Sequence, residues 1–189
     1  MAISRYNREM GEILDIVNER DEVVGTAERL VAHTKGLKIR LIYVWFYTTD
    51  GQIIMQRRSP QKRAHPNRLV STVSGHVGAG VDYLDAALKE TEEETGVAVS
   101  SDELKPVKKV FKKTRTSTDI SAAFRMNYIY HFTGQVNDLR IEPGEGAGFE
   151  LWDAKELLRA IDHQPDIFSP FILSDASREI IRRIMEITQ

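Results

Sequence analysis

The chain of 189 residues contains no cysteine. That absence excludes a disulfide framework, cysteine-ligated zinc, an iron–sulfur cluster and a thiol nucleophile together. Long apolar runs are missing as well. No stretch approaches the ~18 consecutive apolar residues that span a bilayer. Charges interrupt the N-terminal MAISRYNREMGE where a signal peptide would carry its apolar core. The expectation is a cytoplasmic protein without a membrane partner. Neither sign of charge dominates, with 26 Lys and Arg against 28 Asp and Glu, so net charge directs the chain to neither nucleic acid nor a lipid surface. No repeat and no Pro/Gly/Ser-rich linker interrupts the sequence. Its length suits a single domain, residues 12–189 behind a short tail at 1–11, with enough core to need no covalent staple.

What is present is an alternation of strand and helix patterns. EILDIVN (12–18) and EVVGTAE (22–28) read as strands joined at Arg20–Asp21, followed by a short helix at 29–34 that ends before Gly36. The apolar run at 40–47 has the composition of a buried central strand, and 52–58 returns as its antiparallel partner after the turn TTDG. A polar loop at 59–68 leads to a strand at 69–77 and a loop carrying Gly75, Gly78 and Gly80. The clearest helix is 82–95, capped by Asp82 and ended by Gly96. Strands follow at 107–113, 123–132 and 149–152, and helices at 153–161 and 174–187. The absence of a regular βαβ period predicts an α/β fold with a mixed sheet and helices on both faces.

Within the 82–95 helix, Leu84, Ala87, Leu88 and Thr91 form the stripe expected to pack on the sheet. Glu90, Glu93 and Glu94, spaced i, i+3 and i+4, share about a third of the circumference. Clustered carboxylates suit a hard divalent cation such as Mg²⁺. Taken alone, a bare E-x-x-E-E reads as an ordinary solvated acidic face rather than a metal site.

The wider spacing is more specific. GHVGAGVDYLDAALKETEEETGV, residues 75–97, resembles the box of the Nudix hydrolase superfamily, G-x5-E-x7-R-E-U-x-E-E-x-G-U with U apolar. Gly75, Glu90, Glu93, Glu94, Gly96 and Val97 occupy matching positions. The resemblance implies the Nudix α/β/α sandwich with a mixed β-sheet. It implies Mg²⁺, or Mn²⁺ in its place, held by the Gly75 carbonyl and by Glu90, Glu93 and Glu94. Glu93, Glu90 or the loop acid Glu145 would then accept the proton of an attacking water. Three positions depart from the box: Val81 stands for a glutamate, Lys89 for the arginine and Thr91 for the apolar residue. Lys89 keeps a charge but lacks the bidentate fork of arginine. Asp82, beside Val81, reads more plainly as the helix cap.

From Glu12 to Val97 the chain also resembles Nudix proteins related to isopentenyl-diphosphate isomerase. That chemistry uses a cysteine and a glutamate beside a histidine-rich metal site. The cysteine falls at Ser74, His33 and His76 match two of the histidines, and the third falls at Ile39 or Arg40. The late strand at 123–132 supplies no carboxylate. Isomerase ancestry is expected and isomerase activity is not.

Residues 51–81 contain no acid while carrying Arg57, Arg58, Lys62, Arg63 and Arg68. Arg57 and Arg58, with His76, are the candidate contacts to a small-molecule diphosphate substrate, whereas Lys62 and Arg63 read as a solvated loop. The basic run KPVKKVFKKTR at 105–115 reads as protection of a strand edge rather than a nucleic-acid surface. Exposed apolar strand edges are compatible with a homodimer. The expected function is metal-dependent cleavage of a P–O–P bond in a nucleoside-diphosphate-like substrate. The alternatives are a Nudix-fold binding or regulatory module weakened through Val81, or a prenyl diphosphate isomerase.

Overall fold

Lys38–Tyr47, the longest apolar run, forms a strand with both faces covered and organises the rest of the molecule. The computed structural model describes residues 11–62, 64–115, 120–141, 144 and 146–189. The expected tail falls outside these residues except for Gly11, and so do Arg63 and Glu145. In chain order the elements are β1 (Ile13–Val17), β2 (Val23–Glu28), α1 (Arg29–Lys35), β3 (Lys38–Tyr47), β4 (Gln52–Arg58), β5 (Leu69–Val70) and β6 (Val73–His76). They continue with α2 (Tyr83–Thr95), β7 (Lys105–Arg115), β8 (Ile120–His131), β9 (Gly146–Asp153), α3 (Ala154–His163) and α4 (Asp175–Ile187).

Seven strands form one mixed sheet, with β3 and β8 parallel and the other pairs antiparallel. β1 and β2 make a separate hairpin. Side-chain alternation along β3 explains the layering. Ile42, Val44 and Phe46 face α2, together with Ile54, Val73 and Tyr128. Trp45 faces the other way, into a core built from α3 and α4, with Leu157, Ile161, Ile180, Ile181 and Ile184. The result is the α/β/α sandwich expected from the sequence.

The single strand expected at 69–77 is in fact two. β3 and β4 pair only at Phe46↔Ile54 and Tyr47↔Ile53 before they diverge. β5 pairs with β4, and β6 fills the gap beside β3. The crossing at Ser71 and Thr72 is buried. Thr72 Oγ1 donates to the Ile54 carbonyl and accepts from the Phe46 amide at 2.8 Å, so hydroxyl bonds replace the missing ladder. Strands β7, β8 and β9 are also longer than their apolar centres suggested.

β7 closes one side of the sheet, as its lysines implied. Those lysines are engaged with their neighbours: Lys108 with Glu179, Lys109 with Asp21 at 2.7 Å, and Lys112 with the Pro170 carbonyl at 3.1 Å. Among the described residues, no helix is long and apolar enough to cross a membrane.

Candidate active site

Two local devices fix α2. The Asp82 side chain accepts from the Asp85 amide at 2.8 Å, which settles its role as the cap. Gly96 ends the helix in the left-handed conformation, φ 73°. The face that α2 turns to the sheet keeps Ala87 and Thr91 of the expected stripe and adds residues from outside it. Ala86, Ala87, Glu90, Thr91, Glu94 and Thr95 are buried, whereas Leu84 and Leu88 lie at the margin and pack only partly. Small residues let the helix axis approach the sheet, and two carboxylates go in with them.

Glu90 is 6% exposed and Glu94 2%. Glu90 lies over Gly75 so closely that a Cβ there would meet Glu90 Cγ and Cδ at 2.7 Å. Gly75 is therefore required by the approach of the glutamate. Glu94 accepts a hydrogen bond from Gln56 Nε2 at 3.3 Å. Glu93 stands apart at the exposed margin, with Lys89 Nζ 3.7 Å away. Among the described residues, no three carboxylate or histidine side chains come close enough together to hold a cation by themselves. Glu90 beside the Gly75 backbone, with Glu94 one helical turn further on, offers hard oxygen donors of the kind that Mg²⁺ accepts when water and phosphate oxygens complete its shell.

Strand alternation separates the candidate substrate contacts. Ile54 and Gln56 face α2, and Arg58 follows two residues on. Arg57 lies on the opposite face, where Nε bonds Glu150 at 2.5 Å and Nη1 bonds the Asn67 carbonyl at 2.7 Å. Arg57 is thus not brought to the glutamates. Arg58 donates from Nε to the Ala64 carbonyl at 3.0 Å, which draws the 59–68 loop toward the end of β4.

His76 follows Gly75 in β6 and points to the other face, in register with Leu41. Its Nε2 lies 2.9 Å from His33 Nε2, with the two rings edge to face. Burial, reinforced by the positive charges of Arg29, His33, Lys62 and Arg58, holds the His76 imidazole well below its ordinary pKa. The residue in register beyond Leu41 on this face is Arg125, buried at 3% exposure and donating to the Lys112 and Ala123 carbonyls and to Ser121.

The sequence reading missed Gln56 and Arg125. Both had a signal, a polar residue at an inward position of an otherwise apolar strand. A third cluster lies beyond the N-terminus of α2. Asp21, at φ 65° in the β1–β2 turn, accepts from Arg40 Nε at 2.7 Å, Lys109 Nζ at 2.7 Å and Tyr83 Oη at 3.0 Å. Burial pushes its carboxyl up, but those donors outweigh it and leave the pKa below the usual value. This network locks the hairpin onto β3, β7 and α2. An open cleft of about 370 Å³, lined by Thr48, Asp50, Gln52 and Phe132 among others, lies at the opposite end of β4 from Gln56.

Comparison with known proteins agrees with this architecture. The NUDIX domain family matches residues 38–170. An uncharacterized Nudix hydrolase from Streptomyces coelicolor is 46% identical over 87 residues, covering 46% of this chain and 48% of that protein. The chain thus matches about half the length of that relative. The isopentenyl-diphosphate Delta-isomerase of an Enterobacter strain is 30% identical over 164 residues, covering 86% of this chain and 87% of the enzyme. The crystal structure of DR0079 from Deinococcus radiodurans is similar with a TM-score of 0.70 at 27% identity, covering 92% of this chain and 99% of that one. The MutT protein of Methanosarcina mazei shares the fold at a TM-score of 0.58 and 13% identity, over 80% of this chain and 96% of that one. With the family match spanning the seven-stranded sheet, α2 and α3, the chain belongs to the Nudix family.

Proposed function

We propose that the protein is a metal-dependent Nudix hydrolase that cleaves a P–O–P bond in a nucleoside diphosphate or a similar diphosphate. The observation that carries this reading is the burial of two box carboxylates, Glu90 over Gly75 and Glu94 against Gln56. These two carboxylates sit at the spacing of the Nudix box. Glu90, Glu94 and the Gly75 carbonyl would hold Mg²⁺ or Mn²⁺, with Glu93 completing the set from the margin. A bound ion of this kind polarises a phosphoryl oxygen and lowers the pKa of water.

The remaining steps belong to the chain. Glu93, at the exposed edge, is placed to accept a proton from the attacking water as its oxygen bonds to phosphorus and the P–O bond to the leaving phosphate breaks. Glu145 stays the second candidate for that proton. Arg58, two residues beyond Gln56 on the same strand face, would supply positive charge for the remaining phosphate oxygens. Arg57, tied to Glu150, fastens β4 to β9 instead.

Glu94→Gln is expected to abolish Mg²⁺-dependent phosphate release from a panel of nucleoside diphosphates. A variant as active as the parent would refute the role of that carboxylate. A parent that binds Mg²⁺ without turning over any diphosphate would favour the binding-module reading, for which the 36% exposure of Val81 at the box's glutamate position is the specific support. Isomerase chemistry is disfavoured by Ser74 in place of the thiol and by the strand that supplies Arg125 and Asn127 where carboxylates are needed.

A further inference from the structure

We infer that Gln56 is a positioning residue for this site: its side-chain amide fixes the plane of the Glu94 carboxylate for a bound divalent cation. The inference rests on the metal-site reading above. Gln56 lies in the middle of the sheet at 2% exposure, on a strand whose neighbours Ile53, Ile54 and Met55 are fully buried. A buried amide is a poor choice for packing alone, since an apolar side chain of similar length fills the same space without desolvating a polar group. Its Nε2 reaches Glu94 Oε2 at 3.3 Å. An ionised carboxylate only accepts, so the donor end of the amide must face it. Fixing Oε2 from one side also fixes the plane in which Oε1 lies.

The neighbouring strand accommodates the amide. A Cβ on Gly146 would stand 3.2 Å from Gln56 Cγ and 3.3 Å from Cδ, so glycine at this start of β9 leaves Gln56 its room. The box residue best suited to orienting a carboxylate, arginine, is Lys89 here. Lys89 is 66% exposed in its side chain and lies nearest Glu93, at 3.7 Å. A single ammonium beside Glu93 lacks the bidentate fork with which an arginine sets the plane of a carboxylate. Gln56, a strand residue outside the box, donates to Glu94 in the way that outer-shell partners orient the ligands of other metal sites.

The test is the Mn²⁺ dissociation constant of the full chain, measured by calorimetry for the parent, Gln56→Met, Gln56→Leu and Glu94→Gln, beside metal-free unfolding temperatures. Met keeps the length without the donor, and Leu provides a second donor-free side chain should Met disturb packing. The expected result is about 10-fold weaker Mn²⁺ binding or more in both Gln56 variants, with kcat for diphosphate hydrolysis falling and the metal-free unfolding temperature retained. Unchanged Mn²⁺ affinity, with or without a loss of stability, assigns Gln56 to packing and overturns the inference. A parent that binds no Mn²⁺, or a Glu94→Gln variant that binds it like the parent, overturns the metal-site reading itself.

Discussion

The two helical layers cover the same sheet on different terms. α3 and α4 present Leu157, Ile161, Ile180, Ile181 and Ile184, all but fully buried. α2 presents Ala86, Ala87, Thr91 and two carboxylates. The first layer is a hydrophobic lid, and each large side chain there contributes roughly 1.5–3 kcal/mol of burial. The second layer gives up that gain to bring Glu90 against Gly75 and Glu94 against Gln56. On the proposed function, the face that carries buried carboxylates is the one that does the chemistry, while the α3–α4 face is packed mainly by apolar side chains.

That division is breakable at several points. Ile181→Ala in α4 should give the largest loss of stability, about 2–5 kcal/mol, while Mn²⁺ affinity stays at the parent value. Denaturant unfolding with parallel calorimetry checks both halves. Gly75→Ala should cost about 1–3 kcal/mol by forcing Glu90 aside and should also remove metal-dependent turnover. A fully active Gly75→Ala enzyme would show that the close approach is dispensable. Thr91→Val is the smallest change and runs the other way. The Thr91 hydroxyl is buried without a hydrogen-bond partner among the described residues, so its removal should stabilise by about 1 kcal/mol. A loss of stability there would mean that the α2 face is more polar than its side chains indicate.

The sandwich was legible because its evidence is local. β3 alternates with apolar residues on both sides, and α2 carries its start and stop signals in Asp82 and Gly96. The box spacing located Gly75, Glu90 and Glu94 together. The buried face of α2 was not legible from hydrophobicity alone, since that arithmetic favours Leu84 and Leu88 over the alanines and carboxylates that face the sheet. The division at Ser71–Thr72 depends on how β3 and β4 diverge, a property of two other strands.

Arg57 and Arg58 are adjacent in sequence yet face opposite layers, and only the inward position of Ile54 and Gln56 tells them apart. The Arg20–Asp21 turn was visible locally. Its ties to Arg40, Tyr83 and Lys109 join residues up to 88 positions apart, and no local pattern announces them.

The most direct test of the account is the unfolding temperature of the parent and of a Glu90→Gln/Glu94→Gln double variant, each with and without Mg²⁺. A cation bound only to the folded state must raise the temperature of unfolding. The account predicts a Mg²⁺-dependent rise for the parent and none for the variant. A variant that keeps the full rise would contradict it, because the cation would then be held somewhere other than the carboxylate face of α2.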